Sequence, residues 1–395
     1  MKNEFNYIEE AINLFDYTSR FRRQFHMFPE TAFNEFQTAS TISDELNLLG
    51  YDVKTGVGKT GVVADLIGSR KEPVVMLRFD MDALPIIEEN NVDYISKIPG
   101  VMHACGHDAH MAVGLTIAKI LSNHKNELQG SIKLIFQPAE EGTSGALAMI
   151  SDGALENPIP KYAIGFHVWN DKPVGWIGIV PGPSMAGVKD FEIEITGQGG
   201  HAAIPQRAID PIVTAAQIIL AIQTIISRNI SPLNSGVVSV TQVEAGTALN
   251  IIPSKASLKG TIRYFETSVG DEIISRMENI CMGVSNSMGC SAQFRILNFN
   301  PPVVNDDAVT SVLAFTAQEI IPDYFIDNKY QTMGAEDVAE FLNRIPGCYV
   351  LIGSSSEKKG LNFGHHHPKF DIDETVLPYA VALLSAASIK LMNQT

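Results

Sequence analysis

The spacing of apolar and polar positions divides the chain into alternating helical and extended stretches. Residues 6–25 and 35–50 carry apolar side chains at helical intervals, the second stretch running from Glu35 through Ile42, Leu46 and Leu49 to a stop at Gly50. The period then changes. Residues 73–79 are an apolar run ending at Asp80-Met81-Asp82, 131–136 run into Gln137-Pro138-Ala139-Glu140-Glu141-Gly142, and 162–166 run into His167-Val168-Trp169-Asn170. Helical patterns at 112–121 and 144–152 separate these runs. Such alternation predicts an α/β fold with a largely parallel sheet, whose sites gather at the carboxyl ends of the strands.

The middle of the chain reads differently. After Pro181-Gly182-Pro183, residues 190–196 alternate as a half-buried strand, 211–227 form an apolar helix, 236–244 and 257–264 are extended, 268–288 are helical, and 291–297 are extended. The order β-α-β-β-α-β predicts a ferredoxin-like α+β insertion with its own core. The chain is therefore expected to form one domain from residues 1–185 and 303–395, interrupted by a second at 186–302. In the returning part, 306–321 are helical, Gly334-Ala335-Glu336-Asp337 reads as a helix start, 347–353 as a buried strand, and a final helix begins near Glu374.

Composition narrows the partners. With 45% hydrophobic and 18% charged residues, the 395-residue chain is ordinary for a globular protein, and its short, interrupted apolar runs predict no membrane-spanning helix. A net charge of −15 disfavours a phosphate backbone, so no nucleic acid is expected. The first residues lack the apolar core of a signal peptide, and the four cysteines (Cys105, Cys281, Cys290, Cys348) form no C-x-x-C pair; both point to the cytoplasm. Gly56-Val57-Gly58-Lys59-Thr60 resembles a phosphate loop, but the glycine required five residues before the Gly-Lys pair is Val53, so a turn between short strands is the better reading.

The densest chemistry is Met102-His103-Ala104-Cys105-Gly106-His107-Asp108-Ala109-His110-Met111, where a thiol, three imidazoles and a carboxylate fall within ten residues. Thiolate and imidazole suit Zn²⁺, and nearby carboxylates widen the choice to Mn²⁺ or Co²⁺. Taken singly, each candidate has an ordinary alternative: Cys105 as a buried free thiol, Glu140 and Glu141 as a solvated loop, His167 as a core histidine, and His365-His366-His367 as a surface loop. Their joint arrival at one sheet edge favours a metal site.

Seven blocks, RFDMDALP (78–85), MHACGHDAHM (102–111), QPAEEG (137–142), GFHVWN (165–170), GGHAAIP (199–205), ALNIIP (248–253) and GTIR (260–263), resemble the signatures of the aminoacylase/carboxypeptidase G family of metallo-amidohydrolases, most of all its hippurate hydrolase and indole-acetyl-amino-acid hydrolase branch. The resemblance implies a catalytic domain interrupted by a lid that also joins two subunits into a homodimer. It also implies a two-metal site held by Cys105, His107, Glu141, His167 and His366, taking Mn²⁺ or Zn²⁺, with Co²⁺ or Ni²⁺ as further candidates. His366 is chosen from the triple by the branch pattern His-x-Pro. Glu140 would be the general base, His201 the donor to the oxyanion, Asn250 and Arg263 its neighbours at the substrate carboxylate, and Asp82 the carboxylate that orients a metal ligand. Where wider relatives place a ligand histidine before the strand-end aspartate, this chain has Asp80. The implied activity is hydrolysis of an N-acyl amino acid or short peptide, with a dedicated N-acetyl-diamino-acid deacetylase or a non-catalytic binding module as alternatives.

Overall fold

A computed structural model describes residues 6–142 and 144–394. The chain divides into two units: one comprising the chain up to Gly182, Val304–Tyr330 and the chain from Asp337 onward, the other Pro183–Val303 with Gln331–Glu336.

The first unit is built on an eight-stranded sheet in the order Asp52–Val57, Gly61–Ile67, Ser131–Gln137, Val74–Asp80, Tyr162–Pro173, Gly347–Ser355, Trp176–Gly178, Phe325–Asp327. The four strands from Ser131–Gln137 to Gly347–Ser355 are parallel. They are flanked by the antiparallel hairpin Asp52–Ile67 and by Trp176–Gly178, so the sheet is mixed rather than uniformly parallel. Every residue of Val74–Asp80 and of Ser131–Gln137 is buried, which is why these strands read as continuous apolar runs. Helices His107–Asn123 and Leu377–Met392 pack on Val74–Asp80 and on each other.

Several boundaries differ from expectation, and two of them matter for function. The helix expected at 112–121 begins at His107, because Gly106 in the left-handed conformation ends the preceding loop and starts the helix early. The strand expected to stop before His167 continues to Pro173, its extension held in register by Gly347–Ser355. The stretch 6–25 breaks at Leu14 into Tyr7–Asn13 and Phe15–Met27; 211–227 breaks into Pro211–Ile222 and Thr224–Arg228; and the helix after Asp337 is only Ala339–Leu342. The Gly56–Thr60 stretch is a hairpin turn, with Gly56, Gly58 and Lys59 all at positive φ.

Two helical stretches, Pro211–Arg228 and Glu374–Met392, are long and apolar enough to cross a membrane by length and composition, contrary to the sequence reading. Glu374–Met392 is instead largely a core element of its unit, while Pro211–Ile222 lays its buried residues on the sheet of the second unit.

That second unit has a four-stranded antiparallel sheet in the order Gly236–Ala245, Lys255–Tyr264, Gly187–Thr196, Ser291–Asn300, with Pro211–Ile222 and Thr267–Ser287 packed against it. This is the ferredoxin-like arrangement. Phe191, Ile193 and Ile195 are buried on one face, while the alternate Glu192 and Glu194 pair with Arg295 and Lys255 on the other.

Candidate metal centre

The centre lies at the carboxyl ends of the parallel strands, and its geometry begins with one missing side chain. A Cβ on Gly106 would fall 2.3 Å from Cγ2 of Val168, and its φ of 91° is one that other residues rarely adopt. Only glycine lets the chain turn there, carrying Cys105 on the loop and His107 at the first position of the helix. Sγ of Cys105 then lies 3.5 Å from Nε2 of His167.

Both buried imidazoles are fixed in the same tautomer. Nδ1–H of His107 donates to the Asp82 carbonyl at 2.8 Å, and Nδ1–H of His167 donates to the Val168 carbonyl at 2.6 Å. Each turns its Nε2 to the centre, the arrangement that metal-binding histidines adopt. Nε2 of His107 is buried with no hydrogen-bond partner, 3.8 Å from Oδ2 of Asp80 and 4.0 Å from Oε2 of Glu140. His366, held at φ 65° with its N–H on the Ala104 carbonyl, brings Nε2 to 3.1 Å from Oε1 of Glu141. Three overlapping sets, Cys105/His107/His167, Cys105/Glu141/His366 and His107/Glu140/Glu141, each have ligand atoms within 4.8 Å of one another. The structure thus gathers all five expected ligands and Glu140 in one cluster.

Carboxylates around the cluster set its electrostatics. Burial opposes charge on His107, but Asp80 and Asp82 outweigh it and lift its pKa to about 10. The same negative field that would keep a proton there favours a cation. Burial pushes the Cys105 thiol well up, with Glu141, Glu140 and Asp80 adding to the effect, so a thiolate at this point needs a positive charge beside it. An orphaned buried Nε2, a thiol and converging carboxylates make a donor set that fits divalent metal.

A ring of further residues, some of them named in the sequence reading and some not, holds this set in place. Asp82 accepts the backbone N–H groups of both Glu140 and Glu141 at 3.0 Å, so it orients the glutamate turn as well as His107. Asp80 is fully engaged: Oδ1 accepts from Nδ1 of His110 at 2.5 Å and Oδ2 from Arg78 at 2.6 Å. His110 is kept in that tautomer by the Val168 N–H, which donates to its Nε2. Buried Arg78 also donates to Gln137 and Asp337. His365 lies 3.9 Å from Sγ of Cys105 through Nδ1, while its Nε2 accepts the Asn170 N–H; it packs behind the thiol. Glu35, from the start of helix Phe36–Leu48, reaches the backbone of Ala139. His110 was visible as part of the dense stretch; Arg78, Asp337 and Glu35 fall in stretches the sequence reading noted, but nothing local tied them to the site.

The remaining candidates belong to the second unit. His201 and Ile251 face each other in a two-stranded ribbon, and the Ala202 N–H donates to the Asn250 carbonyl, so His201 and Asn250 are neighbours. Nδ1 of His201 accepts the Ala203 N–H, which leaves its Nε2–H as an exposed donor. Both residues line a hollow of about 670 Å³ with Thr247, Ser254 and Lys255. Arg263 does not join them. It pairs with Val188 and Val237 eight residues beyond Lys255, roughly 26 Å along its strand.

A clustered thiol, imidazoles and carboxylates at the carboxyl edge of an α/β sheet define a metal-dependent hydrolase. Residues 76–389 match the model of peptidase family M20/M25/M40, and the chain belongs to that family. It is 38% identical over 372 residues to an N-acetyl-L-cysteine deacetylase of Bacillus subtilis, covering 94% of this chain and 87% of that one. It is 35% identical over 398 residues to thermostable carboxypeptidase 1 of Saccharolobus solfataricus, covering 100% and 98%. Among solved structures, the YXEP protein of B. subtilis, described as a dinuclear metal-binding peptidase, superposes with a TM-score of 0.84 at 33% identity, covering 97% of this chain and 100% of that one.

Proposed function

We propose that this chain is a two-metal amidohydrolase that releases an amino acid from an N-acyl amino acid or a short peptide. The observation that carries the reading is the convergence of Cys105, His107, Glu141, His167 and His366 beside Glu140. Those five residues would hold the cations, Mn²⁺ or Zn²⁺, with Co²⁺ and Ni²⁺ as further candidates. Bound there, the metals supply Lewis acidity and make a water easier to deprotonate. Glu140 takes the proton from the attacking water and returns it to the leaving nitrogen. His201 donates its Nε2–H to the oxygen that becomes negative in the tetrahedral intermediate. Asn250 stands beside His201 in this role, and the planar fork of Arg263, which lies away from both within one subunit, binds the carboxylate of the amino-acid half from the partner subunit.

The same reading includes a homodimer joined through the inserted unit and a cytoplasmic setting, which suits four unpaired thiols. A dedicated deacetylase is the second reading, favoured by the identity to the N-acetyl-L-cysteine deacetylase. A non-catalytic binding module accounts less well for Glu140, since metal storage needs no additional carboxylate beside the ligands.

The test is amino-acid release from N-acetyl, N-benzoyl and dipeptide substrates by chelator-stripped protein reloaded with Mn²⁺ or Zn²⁺. Metal-restored release supports the reaction class, and the substrate ranking separates deacetylase from aminoacylase and dipeptidase. No turnover with either metal would transfer the chain to the binding-module class.

A further inference from the structure

Three consecutive backbone N–H groups, those of Ala139, Glu140 and Glu141, each donate to a buried carboxylate. Asp82 takes the last two, and Oε1 of Glu35 takes the first at 2.9 Å. Glu35 is fully buried, and its other oxygen accepts the Thr60 hydroxyl at 2.5 Å. Both of these hydrogen bonds come from neutral donors. A carboxylate in such surroundings is costly, and space-filling at the start of a helix needs only an apolar side chain. What the carboxylate reaches is a backbone in an uncommon state. Ala139 has φ 53°, and its carbonyl accepts the Gly145 N–H at 3.0 Å, so the residue is clamped from both sides in the left-handed region. Rotation at Ala139 directly swings the residue that follows it, which is Glu140.

We infer that Glu35 is a positioning residue for the proposed reaction: by holding Ala139 in its left-handed conformation through hydrogen bonding, it fixes the direction in which the Glu140 carboxyl leaves the backbone. The inference rests on Glu140 being the base. It also predicts how substitutions differ. In Glu35→Gln the amide oxygen still accepts from Ala139, and the amide NH₂ faces a Thr60 hydroxyl that can turn to accept; Glu35→Ala loses both bonds.

Wild type, Glu140→Gln, Glu35→Gln and Glu35→Ala are stripped, reloaded with Mn²⁺ and assayed on the best substrate of the panel, with Mn²⁺ affinity measured by calorimetry. Glu35→Ala is expected to lower kcat about tenfold or more, with KM and Mn²⁺ affinity within about threefold of wild type, and Glu35→Gln to recover most of the rate. A kcat unchanged per folded Glu35→Ala enzyme overturns the inference. So does weakened Mn²⁺ binding with normal kcat at saturating metal, or a Glu35→Gln rate as low as that of Glu35→Ala. If Glu35→Ala does not fold, Thr60→Val removes the donor that orients Glu35 and is expected to lower kcat about threefold; an unchanged rate there overturns it. Near-native turnover by Glu140→Gln would instead sink the base assignment itself.

Discussion

Glu140 and Glu141 are adjacent in sequence and unlike in surroundings. Glu141 shares a ligand set with Cys105 and His366, whereas Glu140 stands toward His107. Glu140→Gln keeps the size of the side chain and removes its basicity, so it should raise the barrier by about 3 kcal/mol, roughly a hundredfold in kcat, with metal content unchanged. Turnover kinetics with elemental analysis checks both halves. Cys105→Ala should act on the other quantity and lower metal occupancy; protein that still carries its full metal would remove the thiol from the cradle. The residues in the cluster were legible because thiol, imidazole and paired carboxylates are chemically distinctive at close spacing. Asp80 was visible only as a departure from a pattern, and its engagement by Arg78 and His110 was not. The role of Glu35 was invisible, because its meaning comes from Ala139, 104 residues away.

Helix Phe15–Met27 and helix His107–Asn123 are locked together at the centre by a buried ionic group. Arg22, with its side chain 1% exposed, reaches Asp108 and Glu374 at 3.0 Å and also pairs with Asp371. Removing one partner from such a group leaves uncompensated buried charge, so Arg22→Met should destabilise the fold by about 3–5 kcal/mol in denaturant unfolding. His26 joins the same group through Asp108 and Glu88. Burial opposes its charge, but Asp108 and Glu88 outweigh this and raise its pKa from 6.5 to about 9. A raised pKa gives stability that is complete below pH 6.5 and fades as pH rises through 9, by about 3 kcal/mol in total. Wild type should therefore lose more stability than His26→Gln between pH 6.5 and 9.5; parallel losses would show that His26 is neutral in the fold. At this scale the strands were legible because burial on both faces makes them continuously apolar. The break at Leu14 and the early start at His107 were not: no proline marks the former, and the latter depends on how closely Val168 approaches Gly106.

For the whole molecule, metal should act as a folding ligand, because its proposed donors come from four separated stretches of the first unit. At a free metal concentration of 100 Kd, binding to the native state alone adds about 2.7 kcal/mol. Chelation should then lower Tm by several degrees, and readdition of Mn²⁺ or Zn²⁺ should restore it; a Tm indifferent to chelator would speak against a metal centre. The α/β scaffold and the ferredoxin-like insertion were legible from the change in hydrophobic period along the chain. The mixed sheet was less so, because Trp176–Gly178, antiparallel to Gly347–Ser355, and Phe325–Asp327 beside it have only three residues each, too few for a period to show. The order of the central strands has a further consequence during synthesis. Tyr162–Pro173 pairs with Gly347–Ser355, whose first residue leaves the ribosome roughly 180 residues after His167. At ordinary translation rates the nascent sheet waits about 9 to 36 s with that edge unpaired, while the inserted unit is made first. His366 emerges later still, so the proposed cation site would gain its last donor only after Gly347–Ser355 is made, and metal capture would report that this sheet edge has found its partner strand.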